Sequence, residues 1–311
     1  MPDADAVARD AAEEKSAFAH PPVEPDATEA YGPHPDQIVD FYAPRTDHGG
    51  GPGGAPLVVV FHGGAWRTPY DRRHISPFAD FLARRGFAVA SVEYRRGRDV
   101  PGPRADTTPA SGSGAPVAGR WPETFDDVAA AMDALPAAAA RALPGTDVRR
   151  TVLTGHSAGG QLALWAAARH VLPRGSAWRL DTPPELRGVV ALAPIADFGR
   201  AAELAVCGGA VRQLLGAEAG SDSGFGSGFD ERRAAVDPAL LLPTGIATTV
   251  VQGSDDIVVP RPVAEAYIDA AARAGETVGL TLLAAVGHFP LIDPAADACA
   301  VVAEEIAQLA W

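Results

Sequence analysis

The stretch "LVVVFHGG" at 57–64 constrains the fold more than any other part of the chain. A strand with one wet face alternates apolar and polar residues, whereas this run is apolar without a break and is bounded by glycines, so it predicts a strand covered on both faces. Similar runs recur in "FAVASVEYR", "RTVLTG", "LRGVVALAPIAD", "IATTVVQGSDD" and "VGLTLLAAVGH". Between them lie helical patterns: "PFADFLARRG", "PETFDDVAAAMDAL", "AGGQLALWAAARHV" and "RPVAEAYIDAAARAG", with "PAADACAVVAEEIAQLA" at the end. Such alternation needs crossover helices between parallel strands, which predicts one doubly wound, mostly parallel α/β sheet with helices on both faces. Ligands of such sheets bind beyond the carboxyl ends of the strands. His62–Trp66, Ser157, Asp256 and His288 each follow a predicted strand.

The expected organisation is an acidic leader at 1–28 followed by a single domain at 29–311. The leader is rich in Ala, Pro, Asp and Glu and reads as mobile, with a short helix at 4–17. Two stretches, 97–119 and 220–230, are dense in Gly, Pro and Ser and read as flexible insertions, the second within a cap-like region of short helices at 199–243. Of the net charge of −13, residues 1–30 hold −6, from eight acids against Arg9 and Lys15. An acidic chain without a basic cluster argues against a nucleic-acid or anionic-membrane partner. Cys207 and Cys299 have no metal-ligand spacing around them and read as inert thiols. No segment reads as a signal peptide or a membrane span, so the expected location is the cytoplasm.

The pentapeptide Gly155-His156-Ser157-Ala158-Gly159 fits G-x-S-x-G, a tight strand-to-helix turn that exposes a serine at the sheet edge. On its own it reads equally well as a helix cap. A nucleophilic serine needs a base, and the base an orienting acid, in the chain order Ser, Asp or Glu, His. Of eight histidines, His20, His34 and His48 lie in the leader or early turns. His62 and His156 sit inside glycine turns, and His74 and His170 mark helix ends. His288 alone follows a late strand. Upstream of it, "VVQGSDD" ends a strand in Asp255 and Asp256; Asp256 is favoured as the acid, with a one-residue ambiguity left open. Backbone N–H groups of Gly63, Gly64 and Ala158 are the expected oxyanion donors. Taken together, the four elements predict a serine nucleophile.

With these residues assembled, the chain resembles the α/β-hydrolase superfamily, and within it the esterase and kynurenine formamidase (arylformamidase) group. The resemblance spans roughly residues 30–305. Its marker is His62-Gly63-Gly64-Ala65-Trp66, which matches H-G-G-x-W, where the hormone-sensitive-lipase-like branch has H-G-G-G. "YGPHPDQIVDFYAP", "SVEYRRG", "WPETFDDV" and "GHSAGGQLALW" look like the same group. The resemblance implies Ser157, Asp256 and His288 as triad, Gly63, Gly64 and Ala158 as oxyanion hole, and Trp66 as a pocket or core aromatic. The insertions at 97–119 and 220–230 depart from the group's pattern.

The expected function is a cofactor- and metal-independent serine hydrolase that cleaves a small ester or N-formyl amide through an acyl-enzyme. The resemblance makes N-formylkynurenine the leading substrate, with a general short-chain or aryl carboxylesterase next. A peptidase has no room for a propeller domain, and a non-catalytic small-molecule binder would normally have lost part of the triad. The sequence leaves the oligomeric state open.

Overall fold

The computed structural model describes residues 3–45, 54–97, 117–216 and 227–311. Its centre is one eight-stranded sheet: β1 (Ala27–Ala30), β2 (Ile38–Tyr42), β3 (Ala55–Phe61), β4 (Ala88–Val92), β5 (Thr146–His156), β6 (Gly188–Leu192), β7 (Thr248–Gly253) and β8 (Gly279–Leu283). The spatial order is β1-β2-β4-β3-β5-β6-β7-β8. β1 pairs with β2, and β2 with β4, in antiparallel fashion, while β3 to β8 are parallel throughout.

Every residue of β3 is buried, as the unbroken apolar run requires. Successive side chains of a strand point to opposite faces, and two cores follow. Leu57, Val59 and Phe61 join the core formed with α3 (Glu123–Ala142), α4 (Ala158–Ala167) and α8 (Pro262–Arg273). Val58 and Val60 face α2 (Ser76–Ala83) and α9 (Asp297–Ala310) on the other side. α4 is buried along its whole length, which explains why its sequence is apolar nearly all round. Between β6 and β7, α5 (Phe198–Glu203), α6 (Ala210–Leu214) and α7 (Ser227–Val236) lie in the expected cap-like region. The expected insertions at 97–119 and 220–230 lie largely outside the described residues. Among those residues, no helix is long and apolar enough to cross a membrane.

Within the expected leader, the helix at 4–17 is present as α1 (Ala4–Ala17), but it is docked against the domain. Arg9 donates from Nη2 to the Asp255 carbonyl at 3.0 Å, and Gly287 N–H donates to Glu13 Oε1 at 3.3 Å. Ser16 Oγ and His20 Nε2 both meet the Asp293 carboxylate, at 2.5 and 2.8 Å. β1 is a further departure: Ala27 and Thr28 belong to an edge strand that pairs with β2 rather than to a leader.

Candidate active site

Four loops at the carboxyl ends of β3, β5, β7 and β8 converge on one place. The β5 loop carries Ser157, whose φ of 58° and ψ of −117° lie in a region non-glycine residues avoid. Such strain costs on the order of 1–3 kcal/mol and persists only where surrounding packing enforces it. Here the packing is visible. A Cβ on Gly155 would lie 2.3 Å from the Gly159 carbonyl oxygen, and one on Gly159 would lie 2.0 Å from that of Phe61. The two glycines of G-x-S-x-G therefore let α4 turn directly off β5, and the turn is clamped against β3. The serine is not a helix cap, because its side chain makes no capping hydrogen bond. It sits instead at the positive end of α4.

His288, after β8, presents Nδ1 to Asp256 Oδ2 at 2.7 Å, with both side chains buried. The other carboxylate oxygen of Asp256 accepts from the backbone N–H groups of Val258 and Val259, each at 2.8 Å. Gln252 Nε2 adds a third donor, to Oδ2 at 3.2 Å. These contacts hold the acid in one orientation. Asp255 points elsewhere, toward the Arg9 guanidinium at 3.4 Å and the Ser254 hydroxyl at 2.8 Å. Of the two aspartates, Asp256 is the one that meets the His288 ring. With Nδ1 on the carboxylate, Nε2 is the ring nitrogen left without a hydrogen bond among the described residues.

Ser157 and His288 line the same cavity of about 170 Å³, together with Gly64, Arg67, His74 and Phe18. No hydrogen bond joins the Ser157 hydroxyl to the His288 ring among the described residues. Such contacts are commonly loose until a substrate draws the groups together.

The β3 loop brings Gly63 against the serine: a Cβ there would lie 2.8 Å from the His156 carbonyl oxygen and 3.5 Å from Ser157 Cβ. Backbone N–H groups of Gly63, Gly64 and Ala158 donate to no backbone acceptor among the described residues. These unspent backbone donors beside Ser157 are free to meet a ligand oxygen.

A buried polar network fixes this turn. His62 stacks on Tyr94 with ring centroids 4.3 Å apart, and the Tyr94 hydroxyl donates to the His62 carbonyl at 2.7 Å. The His62 ring bridges Gly63 O at 2.9 Å and Glu93 Oε1 at 2.9 Å. Glu93 also accepts from Arg96 Nη1 at 2.6 Å and from the Arg72 N–H at 3.0 Å. Burial opposes the Glu93 charge, but His62, Arg96 and the Arg72 N–H outweigh it and hold the carboxyl down at about 2. Ala65 and Trp66 continue the turn with φ of 52° and 55°. Trp66 is fully buried, packs edge-on against Phe198, and is not among the cavity's lining residues. Its place is the core alternative, not the pocket wall.

Two contributors went unread in the sequence. His156 donates from Nε2 to the His288 carbonyl at 3.0 Å, tying the Ser157 turn to the His288 loop. Burial, reinforced by neighbouring His288, pushes its pKa well below the usual histidine value, so the ring is neutral. The other is α1, which touches the loops of both Asp256 and His288 through Asp255 and Gly287. Phe18, just past its end, packs edge-on against His74 and Phe289 and forms part of the cavity wall.

No protein-family model matches the chain. No curated protein sequence matches it either. Solved structures do. A truncated carbohydrate esterase from gut microbiota is similar at a TM-score of 0.68 and 17% identity, covering 94% of this chain and 99% of that one. Esterase B from Lactobacillus rhamnosis HN001 is similar at 0.69 and 19%, covering 98% and 92%. Esterase 2 from Thermogutta terrifontis, phosphoramylated by tabun, is similar at 0.62 and 17%, covering 92% and 94%. At these identities the likeness is one of fold, and with the mostly parallel sheet and its strand order it establishes that this chain has the α/β-hydrolase fold.

Proposed function

We propose that the protein is a serine hydrolase of small carboxylic esters, with aryl formamides such as N-formylkynurenine as the finer candidate. The observation that carries the reading is the Asp256–His288 contact of 2.7 Å, converging with a strained Ser157 on one cavity. His288 Nε2 takes the Ser157 proton as Oγ bonds to the carbonyl carbon. The oxyanion that forms is held by the N–H groups of Gly63, Gly64 and Ala158. Collapse breaks the bond to the leaving alcohol or amine, which receives the proton from His288, and leaves an acyl-enzyme. Water then attacks with His288 again as base, releasing the acid and free serine. Each oxyanion donor of this kind contributes about 3 kcal/mol to the transition state.

Support for an ester substrate comes from the three esterases that share the fold. Support for a formyl amide comes from the His62-Gly63-Gly64-Ala65-Trp66 turn and its resemblance to the arylformamidase group. The small cavity suits either. Comparing kcat/KM on N-formylkynurenine and on p-nitrophenyl acetate separates the two. Hydrolysis of both, with the formamide preferred, is the expected result; activity confined to the ester removes the formamidase assignment.

A further inference from the structure

Among the described residues, the cavity beside Ser157 contains one charge that the proposed chemistry does not use. Arg67 lines it, directly after the oxyanion turn. Its Nη2 donates to the Cys207 carbonyl at 2.7 Å, while its Nε is buried with no hydrogen-bond partner. No carboxylate lies within ion-pair distance of Arg67 among the described residues. Other part-buried arginines of this chain are paired: Arg72 with Asp40, Arg95 with Asp127, Arg96 with Glu93 and Arg233 with Asp237. A half-buried guanidinium without an anion is costly, because its desolvation goes uncompensated.

The rest of the lining sharpens the point. Among the described residues, neither Asp nor Glu contributes to the cavity wall. His74 also lines it, but burial, reinforced by neighbouring His62, holds its pKa down to about 3, so that ring is neutral. Burial raises the Cys207 thiol to about 11, so no thiolate faces Arg67 either. Among the described residues, the cavity is therefore an apolar and aromatic chamber with a nucleophile and one fixed positive charge. A planar guanidinium with free N–H groups is the side chain best matched to a carboxylate.

We propose that Arg67 is a specificity-determining residue that anchors a carboxylate on the substrate, so the preferred ester or amide is anionic. The inference rests on the serine-hydrolase reading and adds the class of substrate. Arg67 takes no part in bond making; it holds the anion while Ser157 attacks the carbonyl.

Two matched substrate pairs test it, in the wild type and in Arg67→Gln and Arg67→Lys. Mono-(4-nitrophenyl) glutarate against 4-nitrophenyl butyrate places the charge on the acyl side. 4-Acetoxybenzoate against its methyl ester places it on the leaving group. The wild type should prefer the anionic member of at least one pair. In Arg67→Gln, kcat/KM for that member should fall about 10- to 100-fold, the worth of a charged hydrogen bond. The loss should fall mainly on KM, with the neutral member within about twofold and Arg67→Lys intermediate. A merely structural role would lower both members together, and that result, or the absence of any anionic preference in the wild type, overturns the proposal. Binding of glutarate and benzoate to Ser157→Ala, measured by calorimetry, separates this claim from the chemistry. Loss of that binding in Ser157→Ala/Arg67→Gln supports the anchor even if no ester is turned over, and unchanged binding overturns it.

Discussion

At the scale of single residues, the site depends on which of two adjacent aspartates faces His288. Spacing along a loop cannot decide this, because neighbouring side chains diverge and one residue of slip exchanges their roles. The structure decides it through three donors that grip Asp256, while Asp255 is held by Arg9 and Ser254. Asp256→Asn should therefore lower kcat about 10⁴-fold by stabilising the wrong tautomer of His288, while Asp255→Asn stays within a few-fold. Steady-state rates of the two variants on one ester check this, and equal losses would contradict it. His156 was legible only as a residue in a glycine turn; its bond to the His288 carbonyl spans 132 residues and leaves no local pattern. It also carries a pH signature. Its folded pKa lies well below its unfolded value near 6.5. Below that pH the unfolded chain binds a proton that the folded chain refuses, so stability is lost as pH falls. Replacing it in His156→Gln removes this penalty. The stability gap between wild type and variant should shift by up to about 1.4 kcal/mol per pH unit, in the variant's favour, between pH 6.5 and 5. Urea melts at the two pH values measure it.

At the scale of elements, the central strands β3, β4 and β6 were legible because burial on both faces writes itself into composition. α1 was legible as a helix but not as a docked one. Its partly buried positions are Ala6, Arg9, Asp10, Glu13 and Glu14, with only Ala17 fully buried, so no strong apolar stripe announces a partner surface. The docking is polar and reaches the loops that carry Asp256 and His288. Burial raises the carboxyls of both Asp10 and Glu13 above their ordinary values, which marks how closely α1 is applied. Removing residues 1–20 takes away the Arg9, Glu13, Ser16 and His20 contacts and the Phe18 wall. The expected outcome is a Tm lower by about 5 °C or more, and a KM for small esters that rises more than kcat falls. Thermal melts and steady-state kinetics of the shortened chain test this. An unchanged Tm and KM would mean that α1 is a passenger. β1 escaped the sequence reading for a related reason: a four-residue edge strand with alternate exposure has too little apolar content to stand out.

At the scale of the whole molecule, the α/β-hydrolase fold brings together residues that lie far apart in the chain. The turn at 62–66, Ser157, Asp256 and His288 meet because β3, β5, β7 and β8 are parallel and end on the same edge. That shared edge was readable from strand–helix alternation alone, which is why the candidate residues could be named from sequence. What could not be read was everything set by shape: the clamp on Gly159, the network behind His62, and the charge Arg67 leaves unpaired in the cavity. The central claim is that this edge turns Ser157 into a nucleophile. Labelling with a fluorophosphonate, followed by intact mass, tests it most directly. The account predicts a single adduct on the wild type and none on Ser157→Ala; an unlabelled wild type, or equal labelling of both proteins, would contradict it.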